Sequence, residues 1–216
     1  MQENQGSLRA EEKTRAMADV EANVAFFQMV PWTRQVLATG IFEAIPTSYR
    51  TSRQAGEDTF FHETLNTSST FPHWLWLARK QAATVELDRS HRYSTGCTSP
   101  SLSQLNSMFL VEVGEALWGF KHTMHGGAIC ALLDQALSLC AGRYQKASEH
   151  TNGTVYTATL SVNFRQPVIV PAVLMVECWL EQHTGRKWHI HARLVDGQHR
   201  TLCEAQGVWI LSSSVL

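Results

Sequence analysis

His125-Gly126-Gly127-Ala128-Ile129-Cys130-Ala131-Leu132-Leu133-Asp134 is the stretch on which the fold of this chain turns. Two glycines open a run whose apolar residues Ile129, Leu132, Leu133, Ala136, Leu137 and Cys140 return at helical spacing. The period predicts a helix from about 126 to 143 with a broad buried face, a central element rather than a surface one. One carboxylate, Asp134, sits among Ala131, Leu132, Leu133 and Leu137. An ionised carboxylate buried without a partner is strongly disfavoured, so Asp134 is the first candidate for chemistry.

Outward from this helix the periodicity changes. Before it, Met108-Phe109-Leu110-Val111-Glu112-Val113 predicts a strand, followed by a turn at Trp118-Gly119-Phe120. After it, Tyr156 to Arg165 alternates, with apolar or aromatic residues at even positions and polar ones at odd positions. This predicts a strand with one face on the core, ended by Pro167 and Pro171. Val173–Leu180, Lys187–Val195 and Leu202–Leu211 predict three more strands, joined at His183-Thr184-Gly185-Arg186 and Asp196-Gly197. A strand, a long helix and then sequential antiparallel strands define an α+β fold, one antiparallel sheet wrapped around one central helix.

The 216 residues are 44% hydrophobic, ample for a packed core, and 18 basic against 19 acidic residues leave the net charge near zero. That balance argues against nucleic acid as the main partner. The five cysteines, Cys97, Cys130, Cys140, Cys178 and Cys203, are odd in number and widely spaced, which fits a reducing compartment better than a disulfide scaffold. The first twenty residues mix acids and bases without an apolar core, and no apolar run reaches membrane-spanning length. The expectation is a cytoplasmic protein with no membrane span.

The first half specifies less. Residues 10 to 40 read as helical, broken at Pro31 and Gly40, and 41 to 70 are rich in polar turn formers. Phe71-Pro72-His73-Trp74-Leu75-Trp76-Leu77-Ala78 is expected to begin a short helix after Pro72, with its tryptophans covering a core edge. Residues 1–80 are read as a partly helical N-terminal extension and 81–216 as the second unit.

His125-Gly126-Gly127-Ala128, Asp134 nine residues after that histidine, and the strand Thr157-Ala158-Thr159-Leu160-Ser161-Val162-Asn163-Phe164-Arg165-Gln166-Pro167 together resemble the hotdog-fold acyl-CoA thioesterases of the PaaI and THEM group. The resemblance covers roughly residues 105 to 211 and implies the hotdog fold; residues 1–80 match no motif and are read as an extension packed on or beside its sheet. It implies hydrolysis of an acyl thioester without a cofactor, the partner being acyl-CoA or a carrier-protein-bound acyl thioester of lipid or polyketide metabolism. The backbone N–H of Gly126 would polarise the thioester carbonyl at the positive end of the helix, with Gly127 next to it. Asp134 would act as general base or as nucleophile. Thr157 is preferred as the hydroxyl that orients it, with Thr159 as substitute, and His125 fixes the loop.

Asp134 lies eight residues beyond Gly126, roughly 12 Å along a helix axis, so the two do not serve one carbonyl within one subunit. The resemblance resolves this by pairing helices across a homodimer, or a tetramer built as a dimer of dimers. Arg165, Arg186 and Lys187 match positions near the CoA phosphates, and each is equally an ordinary surface charge. The chain departs from its relatives at Gly119, where many carry Asn. His189 and His191 share a strand face but lack a third ligand of suitable spacing, so no metal is assigned. Two other readings stay open, a hotdog enoyl-thioester hydratase or dehydratase and a non-catalytic acyl-thioester-binding protein.

Overall fold

The structure, a computed structural model, describes residues 2–47, 58–80, 102, 104–147 and 153–212. Cys97 lies outside these. The chain begins with α1 (Gln2–Met29) and α2 (Pro31–Ala38), broken where the Pro31 ring removes a backbone donor, followed by β1 (Phe42–Ile45). Then come β2 (Trp74–Arg79), β3 (Ser107–Val113), a small hairpin of β4 (Trp118–Phe120) and β5 (Thr123–Met124), and the long helix α3 (Gly126–Ala147). Four strands complete the chain: β6 (Val155–Phe164), β7 (Ala172–Thr184), β8 (Lys187–Val195) and β9 (Thr201–Leu211). The reading of 10 to 40 as helix with breaks at Pro31 and Gly40 agrees with α1 and α2.

One seven-stranded sheet takes the order β1-β2-β3-β7-β8-β9-β6, and every pairing in it is antiparallel. α3 lies against one face, where Leu132, Leu133, Ala136, Leu137 and Cys140 are sealed against Phe109, Val176, Ile190 and Trp209. α1 and α2 cover the other face over β2, β3 and β7, forming a second core of Phe27, Leu75, Leu77, Met108, Leu110 and Met175. The molecule is therefore three layers: helix α3, sheet, and the α1–α2 pair. The antiparallel sheet wrapped around α3 is the hotdog arrangement.

The segment after Pro72 is a strand, not the helix expected. In β2, Trp74 and Trp76 face the α3 core while Leu75 and Leu77 face the α1–α2 core. A strand covered on both faces reads as an unbroken apolar run, and the alternation that would have marked it disappears. Residues 74–79, which the sequence reading assigned to the extension, pair directly onto β3 of the same sheet, and residues 42–45 pair onto them in turn.

Candidate active site

β6 ends the sheet, with β9 on one side and no strand on the other among the described residues. Its register against β9 carries a bulge between Thr157 and Thr159. Leu160, Val162 and Phe164 pair with Gly207, Ala205 and Cys203, on the side facing α3, and Thr157 pairs with Trp209 on that same side. Thr159 pairs with Val208 and faces away. The expected equivalence of Thr157 and Thr159 on one strand face is thus overturned, because the extra residue of the bulge shifts the alternation by one. The bulge also turns Tyr156 outward, opposite Ile210, although the even positions of this strand were expected to face the core.

The bulge depends on Gly207. A Cβ there would lie 2.5 Å from the Thr159 carbonyl oxygen and 2.6 Å from the Trp209 ring. A glycine in the middle of an otherwise apolar strand is the sequence signal for such close approach, and it was overlooked in reading β9.

Asp134 and Thr157 meet. The Thr157 hydroxyl donates to Asp134 Oδ1 at 2.9 Å, beside the free edge of the sheet. Burial raises the Asp134 pKa above its ordinary value, and the hydrogen bond from Thr157 lowers it by less, so the carboxyl stays shifted upward. One turn on, Ser138 accepts the indole N–H of Trp209 at 2.9 Å, which locks the helix to the sheet row that carries Thr157.

The glycine pair forms the other half of the site. Gly127 N–H donates to His125 Nδ1 at 2.9 Å, so His125 occupies the donor of the second glycine and ties the loop to the helix start. The first-turn N–H of Gly126 has no intrahelical acceptor. Gly126 borders a cavity of about 550 Å³ with Phe120, Met124, Phe164, Arg165 and Pro167. A Cβ at Gly126 would meet only the Phe164 ring, at an ordinary 3.6 Å. A Cβ at Gly119 would sit 3.0 Å from both Cα and Cδ2 of His125, so a side chain there requires the loop that brings His125 to the helix start to give by a few tenths of an ångström.

Of the cationic candidates, Arg165 lies at the Gly126 cavity and is held by Glu204, with Nε and Nη2 at 2.8 and 2.7 Å from Oε2. Arg186 and Lys187 lie across the hairpin whose Gly185 has φ +58, and Lys187 shares a sheet row with Ile210 and Tyr156. They therefore belong to the Thr157 end of β6 and Arg165 to the Phe164 end, and one chain does not bring the three together. His191 pairs with Glu181 at 2.9 Å on the outer face.

A long helix opening on a glycine pair, wrapped by an antiparallel sheet and carrying a carboxylate bonded to the edge strand, defines a hotdog-fold protein. Residues 121–203 match the family model described as the thioesterase superfamily. Over 102 residues the chain is 32% identical to an acyl-coenzyme A thioesterase, THEM4, of Bos taurus, covering 47% of this chain and 39% of that protein. The THEM4 of Rattus norvegicus is 28% identical over 93 residues, covering 43% and 37%. The chain thus spans about two fifths of the length of the curated relatives it matches. Among solved structures, the Escherichia coli PaaI protein from the phenylacetic acid degradation operon aligns with 50% of this chain and 74% of its own, at 13% identity and a TM-score of 0.44. The resemblance read from His125 to Pro167 is met by the family model and by named relatives. No described helix is long and apolar enough to cross a membrane.

Proposed function

We propose that this chain hydrolyses acyl thioesters, acyl-CoA in the first place, at a site shared between two copies. The observation that carries the reading is the Thr157–Asp134 hydrogen bond, which fixes a half-buried carboxylate at a sheet edge. The named acyl-CoA thioesterases among the relatives support CoA as the carrier. With Oδ1 occupied by Thr157, Oδ2 takes a proton from water as the water oxygen bonds to the thioester carbonyl carbon. The carbonyl electrons move to oxygen, where the Gly126 N–H and the helix start stabilise them, and collapse expels the thiolate, which then takes up a proton. Attack by Oδ2 itself, giving an anhydride that water opens, uses the same groups.

The separation of Gly126 from Asp134 along α3 supports a homodimer in which each helix start faces the carboxylate of the other subunit. β6 supports it independently. Among the described residues it has a free edge, and Tyr156 and Phe164 on it are 45% and 55% exposed. An isologous antiparallel pairing of two such edges is what a two-fold axis generates.

Free-thiol release from butanoyl-, octanoyl- and dodecanoyl-CoA, with Asp134→Asn in parallel, tests the reading. Turnover that falls by about a hundredfold or more in the variant is expected for loss of a base or nucleophile. Unchanged turnover contradicts the mechanism, and binding of the esters without turnover favours the acyl-thioester-binding alternative.

A further inference from the structure

The C-terminal half of α3 borders a second cavity, of about 390 Å³, that the hydrolysis described above does not use. Its apolar wall comes from Ile45 and Pro46 after β1, Trp76 of β2 and Leu139 of α3. Ser138 and Gly142 also line it, and 134, 138, 142 and 146 form one row of i,i+4 neighbours on the helix. The small side chains of Ser138 and Gly142 make this row a shallow trough at the cavity, with Asp134 one turn before Ser138 on the helix, and a Cβ at Gly142 would meet nothing within 4 Å. Ser138 is already engaged by Trp209, so the trough itself presents little polarity.

The far end differs. Arg143 and Lys146 line it, Arg143 donating to the Arg79 carbonyl oxygen, and among the described residues neither forms an ion pair with a carboxylate. Trp76 Nε1 is buried with no hydrogen-bond partner among the described residues. Glu43 supplies the single opposing charge and is exposed. Two cations at the end of an apolar trough fit an anion tethered to an aliphatic chain.

We infer that this cavity receives the far end of the acyl chain and selects acyl thioesters whose chain ends in a carboxylate, an inference that rests on the reading of Asp134 as the reacting end. From Asp134 to Arg143 and Lys146 the helix rises roughly 14 to 18 Å. At about 1.2 Å per bond of extended chain that span corresponds to about twelve to fifteen carbons, twelve reaching Arg143.

The test is calorimetric binding to Asp134→Asn protein of three esters: butanoyl-CoA, dodecanoyl-CoA and the CoA monothioester of dodecanedioic acid. The ω-carboxy ester is expected to bind about tenfold tighter than dodecanoyl-CoA, the size of one charge-assisted contact. Arg143→Gln with Lys146→Gln should abolish that ratio, and Gly142→Leu, whose side chain enters open space, should weaken both twelve-carbon esters. Equal binding of the two long esters, a preference that survives the double variant, or no binding of any ester overturns the inference. Hydrolysis of butanoyl-CoA by the unaltered protein is followed separately, so that failure of the thioesterase reading is seen apart from failure of this one.

Discussion

Asp134 carries two opposed demands. Burial holds its pKa above the ordinary carboxylate value, so the folded state favours the protonated form. The stability this group contributes is present below its unfolded pKa and is lost as pH rises through the folded one. At neutral pH the ionised side chain is a cost, and Asp134→Asn is expected to raise Tm while turnover collapses, as thermal melts run beside the thiol assay would register. Activity needs the ionised form, so the acid limb of kcat/KM should lie above the ordinary carboxylate range. Thr157→Val removes the hydrogen bond that lowers the pKa and should move that limb to still higher pH; a limb that stays put or moves down would separate Thr157 from the carboxylate. Asp134 was legible in the sequence as one charge in an apolar helical run, and Thr157 through the resemblance. The opposite orientation of Thr159 was hidden, because alternation read along a single strand carries no notice of an inserted residue.

At the scale of elements, the edge strand and its neighbour depend on each other. The β6 bulge is packed against Gly207, and Gly207→Ala forces a methyl group into the Thr159 carbonyl and the Trp209 ring. We expect a loss of about 1–3 kcal/mol in chemical denaturation, the range for overpacking a closed site. The loss should come with a fall in kcat, since a relaxed bulge turns Thr157 from Asp134. Helix α3 and strands β6 to β9 were legible because each buries one face and exposes or differently packs the other, leaving a period of 3.6 or 2 in the residues. β2 was not. Its sequence, Trp74-Leu75-Trp76-Leu77-Ala78, is apolar at every step because a helix layer covers each side, and Pro72 just upstream looks like a helix start.

For the whole molecule, the α1–α2 layer closes a second core over the sheet, with Phe27 fully buried between Leu75 and its neighbours. Phe27→Ala is expected to cost about 3–5 kcal/mol, as large-to-small core changes do. A single cooperative transition in the variant would mark the helical layer and the sheet as one folding unit. Composition gave no hint of this layer's position, since helices that cover a sheet and helices that stand beside one read alike. The central claim is that one active site takes Asp134 from one copy and Gly126 from another. Its most direct test is mixed refolding of two inactive proteins, Asp134→Asn and Gly126→Val, followed by an acyl-CoA thiol-release assay. In a shared site, half of the randomly mixed dimers are hybrid and each hybrid carries one intact site, so about a quarter of the original activity should return. If each chain supplies both groups to its own site, no mixing ratio restores activity, and the account is contradicted.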